Sequence, residues 1–443
     1  MAYGQFEQFI RNMSRVMGAV NTKLQRDLTL RTRVARRFSM VEVASLLGVD
    51  TTYLTRISGE EPLFPEGERR GRERTFSPSE IMLIRALIGS NKAAKRPYLY
   101  WRDQDTPVKV VTFGAQKGGT GKSLSAAHFA QYVNLHYGLR VGVIDADPQA
   151  TISLYFADED LPLFEQDTPT LADFMGVDDP GAQRLTNRSA AELDAIWQSS
   201  PWPGVKIIPG GANIQNGDIS LFFMSQQSQV PVYRVLKDAI ATWDQGNGPK
   251  TPIADLRDAS GNFDMVAYET ALAETVDVIV IDQQPSLTLM QLNGLVAADS
   301  VVIPQTMKGF DLATLATYVS NIGEYLEFIM GFEADLEIGA GEHMVLPTIV
   351  QEQNSQDTDQ ILDLYRKAPR EVMQVWYSRS DAIANAAEEY KSIYEYLPPK
   401  TRRTSAKAFM TNANAVNDAL VQRIWPDLPP RDFAKTFIEE RWS

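Results

Sequence analysis

The sequence predicts an α/β protein: a doubly wound, mostly parallel sheet preceded by a smaller, mainly α-helical domain. Three observations carry this. Short apolar runs recur at 108–113, 141–144, 205–208, 276–281, 300–303 and 344–349, separated by segments long enough to hold helices. The first run leads directly into a glycine-rich segment, 116–123, and then into a helix-compatible stretch. Charge is also divided: residues 1–102 hold 18 Lys+Arg against 10 Asp+Glu, while the whole 443-residue chain holds 43 against 56. A basic front on an acidic body points to a polyanion-binding module joined to something else.

Composition narrows the chemistry. The hydrophobic share of 44% and charged share of 22% suit a folded globular chain with a sizeable core. The absence of cysteine removes disulfides, Cys-ligated zinc and iron–sulfur clusters, and three histidines (His128, His136, His343) argue against a His-rich metal site. Any metal is expected to be oxygen-ligated. With no long apolar run and no signal-peptide pattern at its start, the chain reads as cytoplasmic.

Taken in order, residues 1–37 read as a helix, because Phe6, Phe9, Ile10, Met13, Val16, Met17 and Val20 fall on one face. Two readings stay open for it, a dimerisation helix and a helix packed on its own domain. Residues 38–106 form the second unit. In FSMVEVASLLGVDTTYLTRISGEE, Ser39 can cap one helix, Gly48 supplies a turn, and Asp50 or Thr51 can cap a second helix, with Val49 and Leu54 closing the core. The second helix would present Thr52, Tyr53, Thr55 and Arg56 to a major groove. Arg69, Arg70, Arg72 and Arg74 then lie in a Pro/Gly-punctuated stretch suited to a charged wing, completing a winged helix-turn-helix domain. A solvated basic loop is the plainer reading. The boundary falls in KAAKRPYLYWRDQDTP, and 107–443 is the main α/β domain. Within it, 155–264 reads as an irregular region of surface loops and helices.

Chemistry concentrates between 116 and 124. A strand, then Gln116-Lys117-Gly118-Gly119-Thr120-Gly121-Lys122-Ser123, then a helix from about Leu124, is the arrangement of a P-loop NTPase phosphate cradle. Backbone N–H groups and the helix dipole favour phosphate, Lys122 can reach β/γ oxygens, and the Ser123 hydroxyl can ligate Mg²⁺. The strict pattern fails at Gln116, where a glycine is usual, and an extra lysine, Lys117, appears instead. Asp282, following four apolar residues, is placed to hold Mg²⁺ through a water; a strand-end capping aspartate is the alternative.

K-G-G-T-G-K-S resembles the deviant Walker A box of the ParA/MinD group of ATPases. Val141-Gly142-Val143-Ile144-Asp145-Ala146-Asp147-Pro148-Gln149 resembles that group's second box, Val278-Ile279-Val280-Ile281-Asp282 its Walker B strand, and Ala298-Asp299-Ser300-Val301-Val302-Ile303-Pro304 the strand after it. The resemblance covers roughly 108–400, and the front domain is similar to that of the longer partition ATPases. It implies that ATP and Mg²⁺ are bound, that Asp147 orients the attacking water, and that Asp145 supports the metal shell. Lys117 would reach across a homodimer interface to the partner's nucleotide. By the same resemblance the protein partitions DNA, is stimulated by a centromere-binding ParB-like protein, represses its own operon and associates with the nucleoid. Arg402, Arg403 and Lys407, beside Lys400, become candidates for non-specific DNA binding; a solvated charge run is the alternative. Gln283-Gln284 departs from the commoner Thr-Pro pair. Adenine contacts are expected in the loop after 344–349. The C-terminal RDFAKTFIEERWS is weakly amphipathic, and Glu439 and Glu440 favour packing on the body over membrane attachment. Three rivals remain: an enzyme of small-molecule metabolism from the same P-loop superfamily, a nucleotide-gated transcription or replication regulator, and a membrane-associated positioning ATPase.

Overall fold

A computed structural model describes residues 2–29, 36–71, 73–92, 94, 96–158, 160–163, 167–181, 184–226, 231–333 and 336–442. Helix α1 (Ala2–Thr29) comes first, and its apolar face, from Phe6 to Val20, is exposed. It is shorter than the expected 1–37: Arg36 and Arg37 are not helical, and 30–35 lie outside the described residues. Arg37 instead pairs with Glu80 at 2.6 Å, tying the chain to the next unit.

That unit contains β1 (Phe38–Ser39), α2 (Met40–Leu47), α3 (Thr51–Glu60), β2 (Glu68–Arg70), β3 (Glu73–Phe76) and α4 (Pro78–Gly89). Ser39 and Glu42 form a reciprocal capping box at the start of α2, and Gly48 ends the helix with φ 65, a conformation that costs glycine nothing. Asp50 rather than Thr51 caps α3, accepting from the Thr52 N–H. The strands form an antiparallel sheet in the order β1-β3-β2. Ala44, Leu54 and Phe76 are buried where the two helices and the sheet meet.

The body contains β4 (Lys109–Phe113), α5 (Lys122–Tyr137), β5 (Val141–Ala146), α6 (Ser153–Phe156), α7 (Leu171–Phe174), α8 (Ala190–Asp194), β6 (Gln198–Ser199), β7 (Val205–Ile208), α9 (Asn213–Ser225), α10 (Val235–Asn247), α11 (Met265–Ala273) and β8 (Val278–Gln283). It continues through α12 (Leu289–Ala297), β9 (Ser300–Thr306), α13 (Gly309–Phe332), β10 (Met344–Thr348), α14 (Ser355–Lys367), α15 (Asp381–Glu388), α16 (Arg403–Ile424) and α17 (Phe433–Arg441). The sheet order is β10-β9-β4-β8-β5-β7-β6, parallel except for the edge strand β6. The chain leaves β4 toward β5 on one side and returns to β9 on the other, so the carboxyl ends of β4, β5 and β8 border the crevice where such sheets bind ligands.

All six expected strands are present, β7 with the expected ends and the other five shifted, and side chains explain two of the shifts. β4 starts at Lys109 because the Val108 N–H donates to Asp244 at 3.0 Å. β8 starts at Val278 because the Val276 carbonyl is taken by Arg102 Nε, while Asp277 pairs with the buried Arg140 at 2.7 Å. Within 155–264 the expected helices are present, α7 to α10 among them, but the region is more than surface. Leu221, Met224, Leu236 and Trp243 from this region are buried with Ile144, Ile208 and Ile281 of the sheet, so it covers one sheet face. Burial of those apolar side chains outweighs the local proline and glycine signals.

A second core lies on the opposite face and runs without a break into the front unit, joining Phe38, Leu54 and Phe76 to Phe129, Tyr137 and Phe409. At its centre the fully buried Arg85 of α4 donates to the carbonyls of Leu46 in α2, Tyr98 in the connecting segment and Leu135 in α5. α17 packs on this side, Phe437 standing edge-on to Trp376 at 4.9 Å. Among the described residues no helix is long and apolar enough to cross a membrane.

Candidate nucleotide-binding site

The loop between β4 and α5 has the shape of a cradle. Gly119 and Gly121 take φ 77 and 80, and a Cβ on Gly118, Gly119 or Gly121 would meet nothing within 4 Å, so the inner surface is open backbone. Gly121 precedes α5 without a side-chain cap, which leaves the first N–H groups of the helix available to an anion. The Thr120 carbonyl accepts from Thr348 Oγ1 at 2.7 Å, pinning the loop to the end of β10, while Thr120 Oγ1 is buried without a partner. Just beyond, Ile349 is held at φ 55 and half-exposed, at the place expected for adenine contacts.

Acids line the cradle from the neighbouring strands. Asp145 and Asp282 face each other across the β5–β8 register, both fully buried. Burial and the adjacent Asp282 charge push the Asp145 carboxyl up to about 7. Burial also raises Asp282, with the Lys122 ammonium opposing it at 2.5 Å from Oδ1. Asp282 Oδ2 is buried without a partner. Such an orphaned acceptor, next to open N–H donors and the Ser123 hydroxyl, suits an incoming cation and phosphate. Asp147 Oδ2 lies 4.0 Å from Lys122 Nζ, and its other oxygen accepts from the Gln149 N–H.

Three expected site residues are engaged within the chain. Asp145 was expected to support the metal shell, yet one oxygen accepts from the Asp147 N–H and the other from the N–H and hydroxyl of Ser153, at 3.0, 3.0 and 2.6 Å. These bonds shape the loop that carries Asp147. Ser153, in turn, receives the Gly210 N–H, and a Cβ on Gly210 would sit 2.7 Å from the Asp145 carboxyl carbon. Neither residue carried a sequence signal. Lys117, expected to reach a neighbouring subunit, pairs within its own chain with Asp311 at the start of α13. Asp311 also accepts from Thr306 Oγ1 at 2.5 Å. Burial would raise this carboxyl, but Lys117 and Thr306 outweigh it and hold it below the usual range.

Arg74 is the third. It was expected on the DNA-facing wing, but its guanidinium donates to the Pro65 and Glu66 carbonyls and stacks on Phe64 and Phe76. That ties the segment before β2 onto β3. Of the other front residues, Thr52, Thr55, Arg56 and Arg69 are exposed, and Tyr53 is half-buried under the Arg56 guanidinium, which also pairs with Glu60. Arg70 lies on β2, and Arg72 lies outside the described residues. Arg402, Arg403 and Lys407 are exposed together at the start of α16.

Comparison with known proteins agrees with this geometry. Residues 111–393 match the family described as the CobQ/CobB/MinD/ParA nucleotide binding domain. A Sinorhizobium fredii protein provisionally named replication protein A is 25% identical over 401 residues, covering 88% of this chain and 87% of the relative. Protein SopA of Escherichia coli K12 is 27% identical over 317 residues, covering 69% and 68%. A solved structure titled "Partition Protein" shares the fold at TM-score 0.54 and 16% identity, covering 96% of this chain and 97% of that one. With its cradle, its second lysine and its strand-end acids in place, the chain belongs to the CobQ/CobB/MinD/ParA nucleotide-binding family, as a deviant Walker-type member of the ParA/MinD group.

Proposed function

We propose that this chain is a DNA-partition ATPase that dimerises around ATP. The observation that carries the reading is the pair of lysines on one loop: Lys122 is buried against Asp282, while Lys117 stands at the rim with 47% of its side chain exposed. One lysine serves its own site, and the other is held at the rim by Asp311.

N–H groups of 117–123 and of Leu124 would cradle the phosphates, with Lys122 shifting from Asp282 to β/γ oxygens. Ser123 and Asp282 would hold Mg²⁺, which when bound neutralises phosphate charge. Asp147 would orient the attacking water, and Lys117 of a second copy would meet the charge that develops on the transferred group. Expected turnover is weak until a centromere-binding ParB-like protein stimulates it. The exposed stripe on α1 gives dimerisation a second surface. Operator reading and autorepression fall to Thr52, Tyr53, Thr55 and Arg56 with the wing residues Arg69, Arg70 and Arg72; non-specific DNA binding falls to Arg402, Arg403 and Lys407. The protein would then work in the cytoplasm on the nucleoid.

The clamp that Arg85 makes between α2 and α5 favours one other reading, a nucleotide-gated DNA regulator in which hydrolysis is incidental. Asp147→Ala separates the two. Partition requires turnover to fall about 100-fold with ATP affinity kept, and plasmid loss to rise with it; intact segregation by this variant contradicts the proposal. Because the two units share one core, point substitutions at Arg56 and Arg403 are cleaner probes of operator and non-specific binding than truncation.

A further inference from the structure

Asp282 and the Lys117–Asp311 pair sit on different elements, and a chain of buried amides joins them. Gln283 follows Asp282 at the end of β8 and is fully buried. Its Nε2 donates to the Gln291 carbonyl in α12 at 2.7 Å. Gln291 Nε2 donates in turn to the Gln284 carbonyl at 3.2 Å and to the Tyr318 hydroxyl in α13 at 3.3 Å. Tyr318 and Asp311 lie seven residues apart on one helix, hence on one face. Gln305 Nε2 holds the Asp311 carbonyl at 3.1 Å.

The fold makes room for Gln283 specifically. A Cβ on Gly294 would lie 2.2 Å from Gln283 Nε2, and a Cβ on Gly114 would lie 3.0 Å from its Oε1 and 2.9 Å from the Tyr318 hydroxyl. The long amide is therefore threaded between two glycines, behind the start of the phosphate loop. Its Oε1 and that of Gln291 are buried without partners. Two unpaired buried acceptors are costly in a fixed core, and an element that changes arrangement can satisfy them in its other state.

We propose that Gln283 is a positioning residue that carries the state of Asp282 to the Lys117–Asp311 pair. When Asp282 exchanges Lys122 for a nucleotide's cation, Gln283 moves with it, Gln291 and Tyr318 shift α13, and Asp311 releases Lys117 for the partner subunit. This rests on the nucleotide reading of the loop. Loading and release are then separable steps, and Gln283 acts only on the second.

The test uses the full chain. Gln283→Met keeps length and removes the amide oxygen and nitrogen; it is expected to leave the Kd for a fluorescent ATP analogue within about twofold while lowering kcat about tenfold. The share of dimer formed with a non-hydrolysable ATP analogue, read by sedimentation, should fall with it. Asp311→Asn frees Lys117 without the relay, so in that background Gln283→Met should change kcat and dimer share by less than about twofold. Tyr318→Phe, which removes a single hydroxyl, should act in the same direction at about threefold and also vanish in the Asp311→Asn background; it decides the matter if Gln283→Met does not fold. Unchanged kcat and dimer share in both variants, or losses of equal size in the Asp311→Asn background, overturn the role of Gln283 while leaving the nucleotide reading intact. An unaltered chain that binds no ATP analogue overturns both.

Discussion

The two ends of α5 are treated oppositely. At its C-terminus the carbonyls of Leu135 and His136 accept from Arg85 and Arg431, and the Gly138 carbonyl accepts from Trp101 Nε1 at 2.8 Å. At its N-terminus Gly121 provides no side-chain cap, and the nearest lysine is turned away toward Asp282. One end is finished by the protein; the other is left for something else to finish. The difference teaches where a ligand belongs: a chain that caps one terminus with three side chains and leaves the opposite one open has set aside donors for an anion.

The largest way to break the comparison is at the finished end. Arg85→Met leaves three carbonyls on three segments unpaired, and we expect a loss of roughly 3–5 kcal/mol in urea unfolding. If the folded fraction still binds ATP with unaltered affinity, the two ends are independent in the way the contrast requires. Lys122→Ala addresses the open end. It should weaken ATP binding at least about 100-fold by fluorescence titration, and binding within a few-fold of the unaltered chain would mean that the open donors serve no phosphate. Arg431→Met removes a partly exposed guanidinium that also stacks on Tyr137 at 4.8 Å, and should cost about 1 kcal/mol in the same unfolding assay without touching nucleotide affinity.

A separate prediction concerns pH. Folded Asp145, pushed up to about 7, keeps a proton that the unfolded chain gives up near pH 4. Its contribution to ligand-free stability is therefore greatest below about pH 4 and declines as pH rises toward about 7. Urea midpoints for the unaltered chain and Asp145→Asn, compared at about pH 5 and pH 8, read this: the variant should lose its disadvantage as pH rises. A constant gap would mean that Asp145 is ionised throughout.

What could be read from the sequence follows from how local each signal is. The strands announced themselves through uninterrupted apolar runs, and the cradle through glycines and lysines within eight residues. Ser39, Gly48 and Asp50 marked helix ends because capping acts over three or four positions. Side-chain partners from distant elements left no such trace. Asp311 lies 194 residues from Lys117, and the Arg85 carbonyls lie up to 50 residues away. Arg74 was read by its charge, although the backbone turn that consumes that charge forms only when β2 and β3 pair. Asp145 was read from the family resemblance, and only the fold brings Ser153 and Gly210 against it.

The central claim is that Lys117 completes the site of a second copy, and mixing two disabled chains tests it most directly. Lys117→Ala and Asp147→Ala should each be nearly inactive alone. In a mixed dimer with Lys117 acting across the interface, the Lys117→Ala chain keeps its Asp147 and borrows the partner's Lys117, so one site of two works. An equal mixture should then recover about one quarter of the unaltered turnover. No recovery, with mixed dimers shown by sedimentation to have formed, would contradict the account.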